Sequence, residues 1–369
     1  MKKKILCIAL CLLLVVLIVA GAIVAAKVPH PINYPIESIA SAGVEGVQIV
    51  AEDADSVTLQ KTVPGDFKVL MFTDMHLAGN NKTSRPTIEN LVRAVQEEKP
   101  DLVLLGGDNV TGGMTGKRVP QLAEIFEKLG VYWGGVLGNH EGDNKYSISR
   151  AEMVDTFASY DHCVMRRGLD SVDGDFNYKI TLQNADGKTV QTVFCLDTYD
   201  EITEEEAVAH NVPDDFSHYD GARESQLKWY SDSAAALKQE DPNAHSILLI
   251  HIPPYEARAA FETGNFLYGD KLENCCCTAY DNGTFAAVRD SGVTQAVFFG
   301  HDHVNTCGLM LDGVLLSYIE PSGYSAYGLH TRAGYEKKDW LQGYTKLTIG
   351  DDGVFEQEQV RYSVAFAEE

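Results

Sequence analysis

Apolar positions in this chain follow two patterns from residue 67 onward, short continuous runs and longer stripes at helical spacing. Five runs have the length and composition of buried strands: residues 67–72, 102–105, 131–137, 247–250 and 296–299. Between the first runs, residues 88–95 carry apolar side chains three and four positions apart, which predicts a helix that Pro100 would end. A second stripe at 119–129 predicts another helix with Gly130 as its C-cap. This alternation predicts an α/β fold.

Other segments predict strands of a less buried kind. Residues 44–63 alternate partly between apolar and polar side chains, which indicates short strands ahead of the main fold. Residues 176–182 and 190–196 flank a turn and predict a β-hairpin. Near the end of the chain, residues 314–319 and 344–349 predict a closing antiparallel sheet.

The N-terminus predicts export. Three lysines at 2–4 precede an apolar run at 5–26, about as long as a helix that spans a bilayer. The run is either an uncleaved signal-anchor helix that holds the protein in the cell membrane, or a signal peptide cleaved near Ala26 from a secreted protein. In both cases the remainder lies outside the membrane. We therefore expect three parts: a signal segment at 1–27, a tether with short strands at 28–64 and a catalytic domain at 65–369.

The net charge of the chain limits the kinds of partner that it can bind. The chain has 369 residues with 53 acidic and 30 basic side chains, and its net charge is -23. Nucleic-acid binding needs clustered Lys and Arg, so we expect no nucleic-acid partner. The consecutive cysteines at 275–277 lack the C-x-x-C spacing of thiolate metal sites, which leaves free thiols or loop disulfides.

Candidate chemistry lies in five short blocks of Asp, Asn and His. They are Asp74-Met75-His76, Gly107-Asp108-Asn109, Gly138-Asn139-His140-Glu141, His251 and Gly300-His301-Asp302-His303. Each block follows a predicted strand, and side chains from several strand ends converge at one edge of an α/β sheet. Their oxygen and imidazole donors suit divalent first-row metals, so the blocks predict a two-metal site that hydrolyses a phosphoester. Asp108, central in their order, is the candidate bridge between the metals.

These blocks resemble the calcineurin-like metallophosphoesterase superfamily, whose motifs run D-x-H, G-D, G-N-H-[DE], H and G-H-x-H. The resemblance covers residues 67–348. The stretches at 251–256, 300–305 and 324–328 are similar to the branch related to purple acid phosphatases. It implies a fold of two packed mixed β-sheets flanked by helices, a four-layer sandwich.

The resemblance also implies residue roles. One metal would be bound by Asp74, His76, Asp108 and His303, and the other by Asp108, Asn139, His251 and His301. His140 would act as general acid or transition-state stabiliser, held by Glu141. The implied reaction is in-line attack of a metal-bridging hydroxide on a small phosphomonoester or phosphodiester. A non-catalytic metal-binding or interaction module that keeps this fold is the alternative.

One position departs from the family pattern. Purple acid phosphatases have a tyrosine three residues after the bridging aspartate, and this chain has Thr111. Without a phenolate ligand a ferric ion is less well held, which favours two divalent ions of manganese, iron or zinc. The donor types do not choose among these three metals.

Overall fold

The computed structural model describes residues 31–143 and 146–367, which form two mixed β-sheets flanked by helices. The predicted fold class is thereby confirmed. The predicted signal segment at 1–27 lies outside the described residues. Within the described part, no helix combines the length and apolar character that crossing a membrane requires.

The strands are well separated along the chain. In chain order they are β1 (Val47–Asp53), β2 (Ser56–Lys61), β3 (Phe67–Phe72), β4 (Leu102–Gly106), β5 (Tyr132–Val136), β6 (Asn177–Gln183), β7 (Thr189–Leu196), β8 (Ser246–Leu249), β9 (Thr294–Phe299), β10 (Gly308–Leu311), β11 (Val314–Tyr318), β12 (Gly343–Ile349) and β13 (Phe355–Arg361). The larger sheet has the order β1-β2-β6-β7-β8-β9-β11-β10, and the smaller has β13-β12-β3-β4-β5. Strands β3, β4 and β5 are parallel, as are β7, β8, β9 and β11.

Among the described residues, seven α-helices lie between strands and an eighth follows β13. They are α1 (Ser84–Glu98), α2 (Thr115–Leu129), α3 (Arg150–Ala158), α4 (Glu204–Ala209), α5 (Glu224–Glu240), α6 (Tyr255–Glu262), α7 (Thr284–Ser291) and α8 (Tyr362–Ala365). The two helices predicted after the first strands are α1 and α2, and Gly130 caps α2 in the left-handed conformation at φ 65°. Helix α3 begins directly after Ser149, which forms a capping box with Glu152.

Apolar packing fixes the two sheets against each other. Phe72 and Leu104 of the smaller sheet share a buried cluster with Phe298 of the larger sheet. The Phe298 ring also lies 5.9 Å from the ring of Phe355 in β13, centroid to centroid. A second cluster joins the other face of the larger sheet to the helices and includes Cys275 and Cys277. The six cysteines of the described residues are free thiols.

Two pairings differ from those predicted. Strands β1 and β2 form one side of the larger sheet, because β2 pairs in parallel with β6. These two strands are therefore part of the main fold, although the sequence predicted that they lie ahead of it. The predicted closing sheet does not form, because β11 pairs with β9 and β10 while β12 pairs with β3 and β13.

Candidate metal centre

All five blocks lie just beyond the carboxyl ends of parallel strands. Asp74, Asp108 and Asn139 follow β3, β4 and β5 of the smaller sheet, whereas His251 and His301 follow β8 and β9 of the larger one. His303 lies two residues beyond His301. The donors therefore come from both sheets, where sequence reasoning placed them on one sheet edge.

The backbone at these loops is held in an uncommon conformation. Asp74, His76, Asp108 and His301 have φ values of 54°, 45°, 52° and 76°, a region that non-glycine residues seldom occupy. Such conformations persist where the surrounding structure imposes them, and they concentrate at functional sites. Gly107 has φ 99°, and a Cβ there would lie 2.4 Å from Nδ1 of His251. A side chain at Gly107 would therefore displace His251.

One group of donors surrounds Asp74. Asp74, His76, Asp108 and His303 are buried, with ligand atoms all within 4.8 Å of one another. Nε2 of His303 lies 3.4 Å from Oδ1 of Asp74, and Nε2 of His76 lies 3.5 Å from Oδ2 of Asp108. The two Nε2 atoms are 3.2 Å apart. Four donors thus face one small volume.

A second group shares Asp108. Asp108, His251 and His301 form another buried cluster within the same distance limit. Nε2 of His251 lies 3.3 Å from Oδ2 of Asp108 and 3.1 Å from Oδ1 of Asn139. Oδ1 of Asp108 accepts the backbone N–H of His140 at 2.9 Å. This leaves Oδ2 between the two groups of donors.

Buried polar atoms without hydrogen-bond partners indicate that these residues are suited to bind cations. Oδ1 of Asp74, Oδ2 of Asp108 and Nε2 of His301 are buried and have no hydrogen-bond partner among the described residues. The other oxygen of Asp74 accepts from Oγ1 of Thr73 and from the backbone N–H of His301. Nδ1 of His251 donates to the Gly106 carbonyl, as metal-bound histidines commonly do with their second nitrogen. Buried polar atoms without partners are costly, and two divalent ions would satisfy them.

Two of the four donor histidines have pKa values that favour the same conclusion. Burial lowers the pKa of His76 to about 4 and that of His301 to about 3, so both imidazoles are neutral at pH 7. Burial also disfavours a charged His251, but the Asp108 carboxylate outweighs this effect and raises its pKa to about 9. A cation at Asp108 would compete with that proton, because imidazole ligands must be deprotonated.

Glu141 does not hold His140, so the predicted contact is wrong. Its carboxylate is buried and accepts backbone N–H groups of Asp108, Asn109, Val110 and Gly138 at 2.6–3.4 Å. The side chain thereby ties the loop after β4 to the loop after β5. Its role is to position Asp108 and Asn139.

We expect Glu141→Gln to destabilise the protein, because an amide NH₂ would face backbone donors that now reach a carboxylate oxygen. Each buried donor left without an acceptor costs about 1–3 kcal/mol, and two share each oxygen, so the free energy of unfolding should fall by about 2–6 kcal/mol. Urea unfolding measures this change. The matched control is Glu97→Gln, which removes an exposed ion pair with Arg93 and should change stability by about 0.5 kcal/mol or less. Equal stability of the two variants would contradict this role for Glu141.

His140 is the accessible member of the site. Its side chain is 43% exposed, whereas those of His76, His251 and His303 are 0–10% exposed. Its ring centroid lies 5.5 Å from that of His76, and its Nδ1 contacts the carboxylate of Asp143. Burial lowers its pKa, but Asp108 and Asp143 outweigh burial and raise the pKa above the ordinary value. An imidazole with a raised pKa at the open side of the donor cluster is suited to give a proton to a leaving group.

Arg150 also holds a strand-end loop. Its guanidinium donates to the Gly138 carbonyl and to the fully buried Asp197, and its Nε lies 3.3 Å from Asp175. The sequence alone gives no sign that Arg150 and Asp197 pair. The link needs the folded chain, because Asp197 follows β7 of the other sheet.

We expect Arg150→Met to lower kcat/KM by about 10–100-fold, the usual effect of removing a group that orients metal ligands. The loss follows because Gly138 precedes Asn139 and His140, and Asp197 would become an unpaired buried carboxylate. Steady-state kinetics and a titration of metal affinity measure it. Arg85→Met, which removes an exposed pair with Glu89, should leave both quantities unchanged. Unchanged metal affinity in Arg150→Met would contradict the positioning role.

Two tyrosines border the donors. Tyr327 lies in the stretch 324–328 that is similar to purple acid phosphatases, whereas nothing in the sequence singles out Tyr219. The Tyr219 ring stands edge-on to His301 with centroids 4.2 Å apart, and the Tyr327 ring stacks on His303 at 4.3 Å. The Tyr327 hydroxyl donates to Glu273 at 3.0 Å. These rings form apolar walls beside the cluster.

The sequence that forms this site matches the model of a known protein family. The model of calcineurin-like phosphoesterases matches residues 67–305. That range contains every residue of the two donor groups, together with Asn139, His140 and Glu141.

Three individual proteins are similar to this chain at low sequence identity. Probable inactive purple acid phosphatase 28 of Arabidopsis thaliana is 29% identical over 297 residues, which cover 72% of this chain and 72% of the relative. Probable inactive purple acid phosphatase 29 of the same organism is 28% identical, covering 76% of this chain and 77% of the relative. Among solved structures, a dimetal phosphatase from Danio rerio has a TM-score of 0.49 at 14% identity, covering 81% of this chain and 98% of that chain.

Proposed function

The chain belongs to the calcineurin-like phosphoesterase family, and from this membership we propose that it is a metal-dependent phosphoester hydrolase. The observation that carries the proposal is the pair of buried donor groups that share Asp108. Their inward atoms include two carboxylate oxygens and an imidazole nitrogen that have no hydrogen-bond partner among the described residues. A purely structural cluster would satisfy such buried atoms with hydrogen bonds from the protein.

We assign the ligands as the family motifs imply. Asp74, His76, Asp108 and His303 would hold one divalent ion, and Asp108, Asn139, His251 and His301 the other. Two such ions supply an acidified water nucleophile and neutralise the charge of the phosphoryl oxygens. Manganese, iron and zinc all suit these donors, and Thr111 argues against a ferric–phenolate centre.

The remaining residues act around that centre. Glu141 and Arg150 hold the loops that carry Asp108 and Asn139, which preserves the spacing of the donors. His140, paired with Asp143, faces the open side and would donate a proton to the departing alkoxide. Tyr219 and Tyr327 would contact the part of the substrate beyond the phosphoryl group. The substrate is a small phosphomonoester or phosphodiester.

Metal removal is the direct test. Purified full-length protein should hydrolyse p-nitrophenyl phosphate or bis-p-nitrophenyl phosphate, and a chelator followed by desalting should abolish turnover. Restoring manganese, iron or zinc one at a time should return activity, and metal analysis should find about two ions per chain. Undiminished activity after complete metal removal would refute the mechanism.

The names of the Arabidopsis thaliana relatives favour one alternative, a metal-binding module without catalysis. This chain retains Asp74, Asp108, His251 and the other donors, whereas a module freed from catalysis need not keep them together. The same experiment separates the two functions. Stoichiometric metal without hydrolysis of either aryl phosphate would establish the non-catalytic alternative.

We also propose that the protein acts outside the cytoplasm, either anchored by residues 1–27 or secreted after their removal. The support is the lysine-flanked apolar run of the N-terminus. Fractionation of cells that express the full chain tests this location. Recovery of the intact protein from the cytosol would argue against it.

A further inference from the structure

A cavity outside the metal centre has the features of a ligand site. It has a volume of about 660 Å³ and lies between α1, the segment 324–342 and α8. No residue of the two donor groups lines it. Small-molecule sites have volumes of about 300–1,000 Å³, so the cavity could hold a compact organic molecule.

The charge of the cavity is opposite to that of the protein. Lys82, Arg93 and Lys337 line it together with one acidic residue, Glu89. Arg93 pairs with Glu97, and Glu89 pairs with Arg85, which lies outside the lining. Lys82 and Lys337 form no ion pair within the described part of the chain. In a chain of net charge -23, two ammonium groups free to face the cavity favour an anionic ligand.

Gln342 supplies an acceptor of fixed orientation. His330 Nε2 lies 3.2 Å from the Tyr324 carbonyl, which can only accept, so Nε2 carries the proton. Nδ1 of His330 must then accept from Nε2 of Gln342 at 2.8 Å, which fixes the amide. Gln342 is 2% exposed, and its Oε1 has no partner among the described residues. This oxygen requires a donor from elsewhere.

Three further polar atoms of the lining share this condition. Nε1 of Trp340, Oγ of Ser363 and the Tyr362 hydroxyl are buried and lack hydrogen-bond partners within the described chain. The Trp340 ring contacts the rings of Tyr324 and His330 at 6.0 and 5.9 Å between centroids, and Phe366 adds another ring to the lining. The cavity therefore offers flat apolar surfaces together with a hydrogen-bond donor and an acceptor.

We propose that this cavity binds a planar aromatic or heteroaromatic anion with a hydrogen-bond donor on its ring edge. The anionic group would lie near Lys82 and Lys337, and the ring among Trp340, Tyr324 and Phe366. The edge donor would reach Oε1 of Gln342. Ordered water could also satisfy the four polar atoms, but it would show no preference for an anion or a ring.

Isothermal titration calorimetry of the full-length protein with three probes tests this site. The probes are 6-hydroxy-2-naphthoate, 2-naphthoate without the edge donor, and neutral 2-naphthol. We expect 6-hydroxy-2-naphthoate to bind one site, with both other probes weaker. The double variant Lys82→Gln/Lys337→Gln should raise its Kd about tenfold, whereas Lys117→Gln/Lys188→Gln, at two exposed lysines outside the lining, should not.

Two more variants separate this cavity from other sites. Gln342→Leu should remove the preference for 6-hydroxy-2-naphthoate over 2-naphthoate, and Asp108→Asn should leave binding intact. Binding lost in Asp108→Asn would place the probe at the metal centre and overturn the proposal. The absence of binding by all three probes at millimolar concentration, or equal Kd values in the two double-lysine variants, would overturn it as well.

Discussion

Asp108→Asn should lower kcat/KM by at least about 10³-fold and reduce the bound metal from about two ions per chain to one or fewer. Oδ2 of Asp108 is the buried oxygen that faces both donor groups, at 3.5 Å from His76 and 3.3 Å from His251. Asparagine has nearly the same shape, but an NH₂ group at this position cannot bind a cation. The amide would also face Nε2 of His76 and of His251, the nitrogens that would bind the metals.

The control for Asp108→Asn is Asp232→Asn. Asp232 is an exposed helical residue paired with Lys228, so its substitution should leave metal content and activity unchanged. Activity on an aryl phosphate, metal analysis and circular dichroism of both variants are the measurements. Full activity in Asp108→Asn with native secondary structure would eliminate Asp108 as the shared ligand. Circular dichroism is needed for this variant because burial opposes the Asp108 charge but His251 and His76 outweigh burial and hold its pKa well below the ordinary value, so Asp108→Asn also removes a favourable interaction.

The donor residues were predictable because each one lies next to a strong local signal. Phe72, Gly106 and Leu249 end strands that are mostly apolar, and the residues that follow them must emerge at a carboxyl edge. What sequence could not supply was that two sheets meet there. Apolar periodicity reports that a strand is buried, but it does not report which sheet contains it.

The prediction of strand pairing was wrong for the same reason at both ends of the chain. Strand β2 pairs with β6, far along the sequence, and β12 pairs with β3 across the whole catalytic region. Such pairs depend on the packing of distant side chains and have no local signature. The sequence therefore predicted that the short strands 47–53 and 56–61 lie ahead of the main fold, although they extend its larger sheet.

The partner of His140 was ambiguous for a local reason. The sequence His140-Glu141-Gly142-Asp143 offers two carboxylates, and the family pattern favours the first. The structure turns Glu141 inward to four backbone amides and brings Asp143 to the imidazole. Side-chain direction in a loop depends on backbone dihedrals, which composition does not reveal.

His140→Ala should therefore have an effect that depends on the leaving group. If the imidazolium donates a proton to the departing oxygen, kcat should fall about 10²–10⁴-fold for alkyl phosphates, whose alkoxides need protonation. For p-nitrophenyl phosphate the leaving group departs as an anion, so the loss should be much smaller. Measurement of kcat across alcohols of graded pKa should give a steeper dependence in the variant than in the wild type.

The alternative role of His140, stabilisation of the phosphoryl charge in the transition state, predicts a different result. That interaction is made with every substrate, so His140→Ala would lower kcat by a similar factor for alkyl and aryl esters. The matched control is His162→Ala, which removes an imidazole paired with Glu127 at 2.7 Å and similarly exposed. It should leave kcat unchanged for all substrates, because His162 lies outside the donor cluster. Parallel leaving-group dependences in wild type and His140→Ala would rule out the general-acid role and favour charge stabilisation, since only proton donation discriminates between the two classes of ester.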